Sequence, residues 1–561
     1  MRRWTLPGGC STSISVSANA CQQLIGVAAK EADLPWVAEF FELFKTPWEL
    51  AVGGKHYRVL LSADDQADTV DADLALVYGT KELSIDRRSR SVVGALVGPV
   101  DVRWRDETFP IYGRAASFSG QAYRGVLFAG TAAIDYRQTS GAAILHRIGY
   151  DLFEEVSYLL TRGQPRSHAE TPTLELHIEL IRQCLQESGV SYVEIPARPY
   201  KCAFVCCLTH DVDFFGIRRH TADRTLAGFA ARGTVGTLVD VVRGRRPLDE
   251  AIRNWLAVLS LPLVLLGLAR DFWQPFEDYA RAEQGLSSTF FLIPFKGQAG
   301  VGPDGATRAL RAAPYNIREI RTDIEASSGP RTEFAVHGID AWRDADAGRA
   351  ELKELAAVTG QQKPGIRMHW LYFSDHSPRQ LEDAGFAYDS TCGYNDAVGY
   401  RAGTSQVFRL PGTQSFLELP LTIMDSALFY TDRMGLDRQE AMERCRGIVQ
   451  HARRFGGALV IDWHERSLAP ERQWGRCYQD LLNEVHAGVV WFATAGQAVD
   501  WFRWRRAIRF SLEEGSPHVH VEAPTPSPQL PAACLIVHRP VGRQIEAEET
   551  RFAGQSQTLR L

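Results

Sequence analysis

KCAFVCCLTHDVD, residues Lys201 to Asp213, is the stretch whose reading decides the fold. Ala203 to Leu208 are small or β-favouring apolar residues without helical period, which predicts a buried strand of a parallel sheet or barrel. The run stops abruptly at Thr209-His210-Asp211-Val212-Asp213. Polar and acidic residues at the C-terminal end of such a strand occupy the edge where α/β barrels carry chemistry. Two carboxylates at i and i+2 can hold a cation with one and move a proton with the other. A strand end followed by a solvated acidic turn accounts for the same residues, and short motifs mislead often. Taken alone, the stretch leaves the two readings level.

Composition narrows the class. At 561 residues, two or three domains are expected. A hydrophobic content of 45% with 23% charged residues is that of a soluble globular protein. The net charge of −5 gives no electrostatic case for binding nucleic acid. Ten cysteines are scattered without a Cys-x-x-Cys pair, which argues against a disulfide scaffold or zinc knuckle and favours a reducing compartment. The first twenty residues lack a continuous apolar core, so no secretory signal is read there. The longest apolar run, Trp255 to Ala269, is shorter than the roughly 20 residues of a membrane span and contains Pro262. A soluble, cytoplasmic chain is expected.

Along the chain, residues 1–195 read as an α/β accessory domain. Its strands are expected near Tyr57–Ser62 and Leu74–Tyr78, its helices near Asp151–Leu160 and Thr173–Ser188. Pro196 to Pro199 reads as a linker. Residues 216–270 read as an insertion, basic in its first half and apolar in its second. An ordinary buried helical hairpin is the leading expectation, against a lid or a patch touching a membrane surface or anionic partner. Strand-then-helix units follow: Ser288–Pro294, Glu333–His337, Gly365–Tyr372 and Ala458–Asp462 are strand candidates, a helix with a capping-box pattern opens at Ser377-Pro378-Arg379-Gln380, and another opens at Asp437. Over residues 200–505 this alternation predicts a parallel (β/α) sheet closed or nearly closed into a barrel. Residues 506–561 read as a small β appendage with a disordered end.

The predicted strand ends supply Asp211 and Asp213, then His337, Arg367 with His369, Asp389, and His464. In a barrel they converge on one face. A divalent metal on carboxylate and imidazole ligands, a carboxylate base and a histidine acid make a hydrolytic site.

With these residues in view, the stretch 200–505 resembles the polysaccharide deacetylase (NodB-homology) superfamily, carbohydrate esterase family 4. Thr209-His210-Asp211-Val212-Asp213 resembles a variant of its first motif, and Ser288–Pro294 (STFFLIP) its second strand. Glu333 to Gly338 (EFAVHG) resembles its second motif. The resemblance implies a distorted (β/α) barrel that removes acetyl groups from sugars with a divalent metal, usually zinc. It implies Asp211 as general base, Asp213 and His337 as metal ligands, and Arg367 as the arginine holding the base. It further implies Trp370 as the third motif's aromatic, Asp389 as the fourth motif's carboxylate tuning a histidine, and His464 as the general acid. The family's second motif has another histidine four residues after the first, where this chain has Ala341. Asp340 is the replacement expected here, since carboxylates ligate zinc well; His369 and His210 are further candidates. The run from Gly365 to Tyr394 and the later ELPLTIMD resemble large bacterial members associated with surface polysaccharides.

Each residue also has a structural explanation. His337 and His369 can be core histidines, Arg367 can pair with a structural carboxylate, and Asp389 can cap a turn. Trp370 and Trp463 can stack on sugar rings or simply pack. The functional expectation is a metal-dependent hydrolase that deacetylates an amino sugar or an exopolysaccharide. Two alternatives stand beside it: a carbohydrate-binding or assembly protein that has lost turnover, and a hydrolase of a non-sugar C–N amide. The glycan and the oligomeric state are not legible.

Overall fold

The computed structural model describes residues 24–63, 71–96, 98–120, 125–220, 224–243, 247–512, 516, 518–541 and 544–561. The segment tested for a secretory signal lies outside them. By contacts, the chain divides into two units. One comprises residues 1–201, 402–404 and 501–561, the other residues 202–401 and 405–500.

The first unit carries a six-stranded mixed sheet in the order Asp135–Ser140, Ala143–Ile148, Asp71–Tyr78, His56–Ser62, Ile25–Ala28, Trp48–Leu50. Its C-terminal residues are not a separate appendage. Ala533–Val541 pairs antiparallel with Tyr192–Glu194, and Arg505, fully buried, donates to the carbonyls of Glu42, Leu43, Ile195 and Pro196. The expected disordered end is instead a strand, Gln555–Arg560, paired with His518–Ala523.

The second unit is built on β1 (Val205–Val212), β2 (Ser288–Leu292), β3 (Thr332–Gly338), β4 (Ile366–Met368), β5 (Ile423–Met424), β6 (Ala458–Asp462) and β7 (Trp491–Phe492). They form a parallel sheet in the order β4-β3-β2-β1-β6-β5, with β7 also on β1. Every residue of β1, β2 and β6 is buried, as apolar runs covered on both faces require. Beyond β4 the parallel pairing continues through single bridges, Ile366 to Asp389 and Asp389 to Glu418. The parallel order brings all the C-terminal ends to one edge, so Asp211, His337, Arg367 and Asp462 end side by side.

The insertion folds as helices Arg224–Ala231, Thr237–Val242 and Leu248–Leu265. Its inner face packs Phe229, Ala257, Leu261 and Val264 around Trp273. Its outer face departs from the buried hairpin expected. Twelve of the nineteen exposed large hydrophobic residues among those described lie between Val235 and Leu268, with Val242 79% and Leu259 75% accessible. No helix among the described residues is long and apolar enough to cross a membrane.

Candidate active site

Side chains alternate along β1, so Thr209 and Asp211 face one way and His210 the other. His210 is a core residue. Its ring contacts Glu283 Oε1 at 2.8 Å and the Trp463 carbonyl at 2.8 Å, and stacks on Tyr279. Asp211 turns instead towards Arg367, from β4. The buried guanidinium places Nη1 2.9 Å from Asp211 Oδ1, 2.9 Å from Thr209 Oγ1 and 3.2 Å from Asp462 Oδ1. Its Nε and Nη2 donate to the Ser390 carbonyl and hydroxyl. Burial alone would raise the Asp211 carboxyl, but His337, Arg367 and His464 hold it below the usual carboxylate range. Burial, and then the charge of Asp211, push Asp462 up to about 7. Asp211 is therefore the ionised member of this pair.

Asp213 lies just past β1, with Oδ1 3.4 Å from His337 Nε2 and 3.0 Å from His369 Nδ1. His337 Nδ1 sits 3.0 Å from the Arg367 carbonyl, which can only accept, so Nδ1 carries the proton and Nε2 presents a lone pair. Asp213 Oδ1 and both nitrogens of His369 are buried without an aligned hydrogen bond. Three ligand atoms that converge within 4.8 Å, one carboxylate and two imidazole, fit a divalent ion. His369 reaches the cluster through a strained turn, in which Trp370 and Leu371 take positive φ of 64° and 54°. Such residues cost of order 1–3 kcal/mol each and persist only where neighbours impose them. Arg311 donates to the His369 carbonyl at 3.0 Å and Asn395 to that of Trp370 at 2.9 Å.

A second group, Asp211, Asp462 and His464, also converges. It does not fit a cation, because the Arg367 guanidinium already occupies the space between its carboxylates. His464 follows β6, and its Nδ1 lies 2.6 Å from Asp425 Oδ1 while its backbone N–H donates to Oδ2 at 2.7 Å. Burial would lower the imidazole, yet Asp425 and Asp462 hold it well above its ordinary value. An oriented, protonated histidine results, with Asp425 as its partner.

Several expectations need correction. Asp340 does not join His337; its carboxylate accepts from Arg343 Nε and the Val301 N–H, and His369 stands in the cluster instead. Asp389 does not orient His464. It accepts from Ser390 N and Thr391 and faces Glu418, and burial pushes it up to about 6 and Glu418 well above its usual range. Trp463 is fully buried against Tyr478 and Phe429, so it packs rather than meeting ligand; Trp370 does line the cleft. Asp425 and Asp462 were missed, though both stand where an apolar strand run ends in an aspartate.

The cleft over these groups has a volume of ≈ 550 Å³, open solvent included, and is lined by Asp211, Asp213, His337, His369, Trp370 and His464. Tyr430, Arg433, Glu465, Arg466 and Arg472 also line it.

No family model and no curated protein matches the chain. Among solved structures, it is similar to a protein described as a polysaccharide deacetylase from Mycobacterium smegmatis, at 20% identity and a TM-score of 0.34. That likeness covers 57% of this chain and 98% of the other. A protein described as a polysaccharide deacetylase from Pseudomonas aeruginosa PAO1 is similar at 14% identity and a TM-score of 0.34, over 55% of this chain and 94% of that one. The allantoinase PuuE is similar at 16% identity and a TM-score of 0.33, over 54% and 91%.

Proposed function

We propose that this chain is a metal-dependent hydrolase that removes acetyl groups from an amino sugar or polysaccharide, and that its second unit is a distorted (β/α) barrel of the NodB type. One observation carries the reading: a carboxylate and two imidazoles with converging ligand atoms share a cleft with an arginine-held aspartate and an aspartate-oriented histidine. Asp213, His337 and His369 would hold a divalent ion, zinc by their donor set, and when bound it would supply Lewis acidity towards a carbonyl and an attacking water. Asp211 is placed to take that water's proton, and Arg367 keeps it ionised. His464 gives a proton to the leaving amine or alcohol, and Asp425 fixes its tautomer. The replacement of a histidine by Ala341 suggested a binding protein without turnover; His369 offers the missing ligand and favours the enzyme.

The test is acetate release from N-acetylated hexosamine oligomers by the purified chain after loading with zinc. No release from any acetylated glycan, by protein shown to hold metal, would sink the reading. Asp425→Asn gives a further check. A general acid works only while protonated, so activity falls as pH rises through the raised pKa of His464. Losing the Asp425 charge lowers that pKa, and the basic limb of the kcat profile moves to lower pH. A basic limb that stays in place would assign the acid elsewhere.

A further inference from the structure

The arginines of the cleft wall have no part in the chemistry just described. Arg466 is matched: its Nε donates to Glu465 at 2.9 Å, and its guanidinium lies over the Phe214 ring. Arg433 and Arg472 make no such close ion pair. Arg433 Nη1 donates to Ser426 Oγ at 2.7 Å and sits 5.1 Å from the Tyr430 ring centroid. Arg472 sits 5.0 Å from the same centroid and 4.7 Å from that of Trp474, and its Nε is buried with no hydrogen-bond partner. Among the described residues, neither forms an ion pair with a carboxylate within 4.0 Å. A buried guanidinium N–H left unbonded is costly, and native proteins rarely keep one without a use. Two guanidinium groups beside one tyrosine in the cleft wall, with no carboxylate among the described residues within ion-pair distance of either, can meet a planar or tetrahedral oxyanion, which arginine binds in forked geometry. Hydrolysis of a neutral acetylated sugar requires neither.

We infer that Arg433 and Arg472 form a subsite for an oxyanion carried by the substrate, so that the glycan presented to the Asp213–His337–His369 centre bears a carboxylate or a phosphate. The inference rests on the hydrolase reading for its location, but binding at the subsite can be measured without turnover. The two sources of the oxyanion are a uronic acid residue and a sugar phosphate.

The experiment is calorimetric titration of the full chain with inorganic phosphate, sodium glucuronate and neutral N-acetylglucosamine. Wild type, Arg433→Gln/Arg472→Gln and Asp213→Ala are compared. Expected is binding of an anion but not of the neutral sugar, at least about tenfold weaker in the double arginine variant and retained in Asp213→Ala, as loss of a charge-assisted contact implies. Stronger binding of phosphate points to a phosphorylated glycan, and stronger binding of glucuronate to a uronic acid. Anion binding lost in Asp213→Ala but kept in the arginine variant places the anion on the metal and overturns the subsite, as does equal binding by wild type and the arginine variant. Acetate release supplies the second readout. If a neutral oligomer is cleaved and the arginine variant cleaves it equally, while anions do not bind wild type, the hydrolase reading stands and the subsite falls. If anions bind through the arginines but no acetylated glycan is cleaved, the subsite stands and the hydrolase reading falls.

Discussion

Asp213→Ala will strip the chain of its divalent ion and cut acetate release by about 10³-fold or more. The magnitude follows from what a Lewis acid contributes at a developing oxyanion, several kcal/mol, with each ~1.4 kcal/mol worth a factor of ten. The aspartate is the only anionic member of the three-residue cluster, so His337 and His369 alone cannot offset the ion's charge. Elemental analysis of wild type and variant, purified without added metal, is the direct measurement. Near-stoichiometric metal in wild type and none in Asp213→Ala is the expected pair. Metal retained at full occupancy by the variant would remove Asp213 from the ligand set, and no metal in either protein after reconstitution would end the metallohydrolase mechanism.

Arg367→Met will destabilise the fold by about 3–5 kcal/mol as well as abolish activity, because it leaves a buried carboxylate without its cation. The guanidinium is wholly enclosed and serves Thr209, Asp211, Asp462 and Ser390 at once. The loss is read as a lower midpoint in denaturant unfolding. A second comparison separates charge from shape: Arg367→Lys keeps the charge but lacks the fork, and should recover part of the stability and little of the activity. A shift below about 1 kcal/mol in Arg367→Met would show that Asp211 and Asp462 are solvated in a way their burial contradicts.

Strand ends were the legible part of this site. Apolar runs that stop at an acid or a histidine can be read without coordinates, and Ala458–Asp462 is a strand over just those residues. What the chain does not spell out is which strand end faces which. The third ligand was sought beside His337, at Asp340, because motif spacing runs along the chain. It comes instead from the end of β4, where Trp370 and Leu371 form the left-handed turn that follows His369. Asp389 and Asp425 are both acids at strand ends. Their roles are separated by a third residue, Glu418, whose proximity to Asp389 no local pattern reveals. Trp463 follows Asp462 by one residue, and strand alternation sends it to the opposite side, into the core. The pairing of Ala533–Val541 with Tyr192–Glu194 spans over 300 positions and leaves no local trace.

The bare apolar face of the helical insertion bears on how this protein will behave in the hand. A dye such as anilinonaphthalene sulfonate, whose fluorescence is commonly taken as the sign of a loosened, partly folded state, will light up on the fully native chain, because Leu256, Leu259, Leu263 and Leu266 already stand in solvent. Near-ultraviolet circular dichroism will stay native at the same time. Leu259→Ser/Leu263→Ser will quench the dye without lowering the unfolding midpoint, whereas dye signal that persists in that variant would trace to loosened packing elsewhere. A preparation judged by dye binding alone would be discarded as misfolded while its fold was intact.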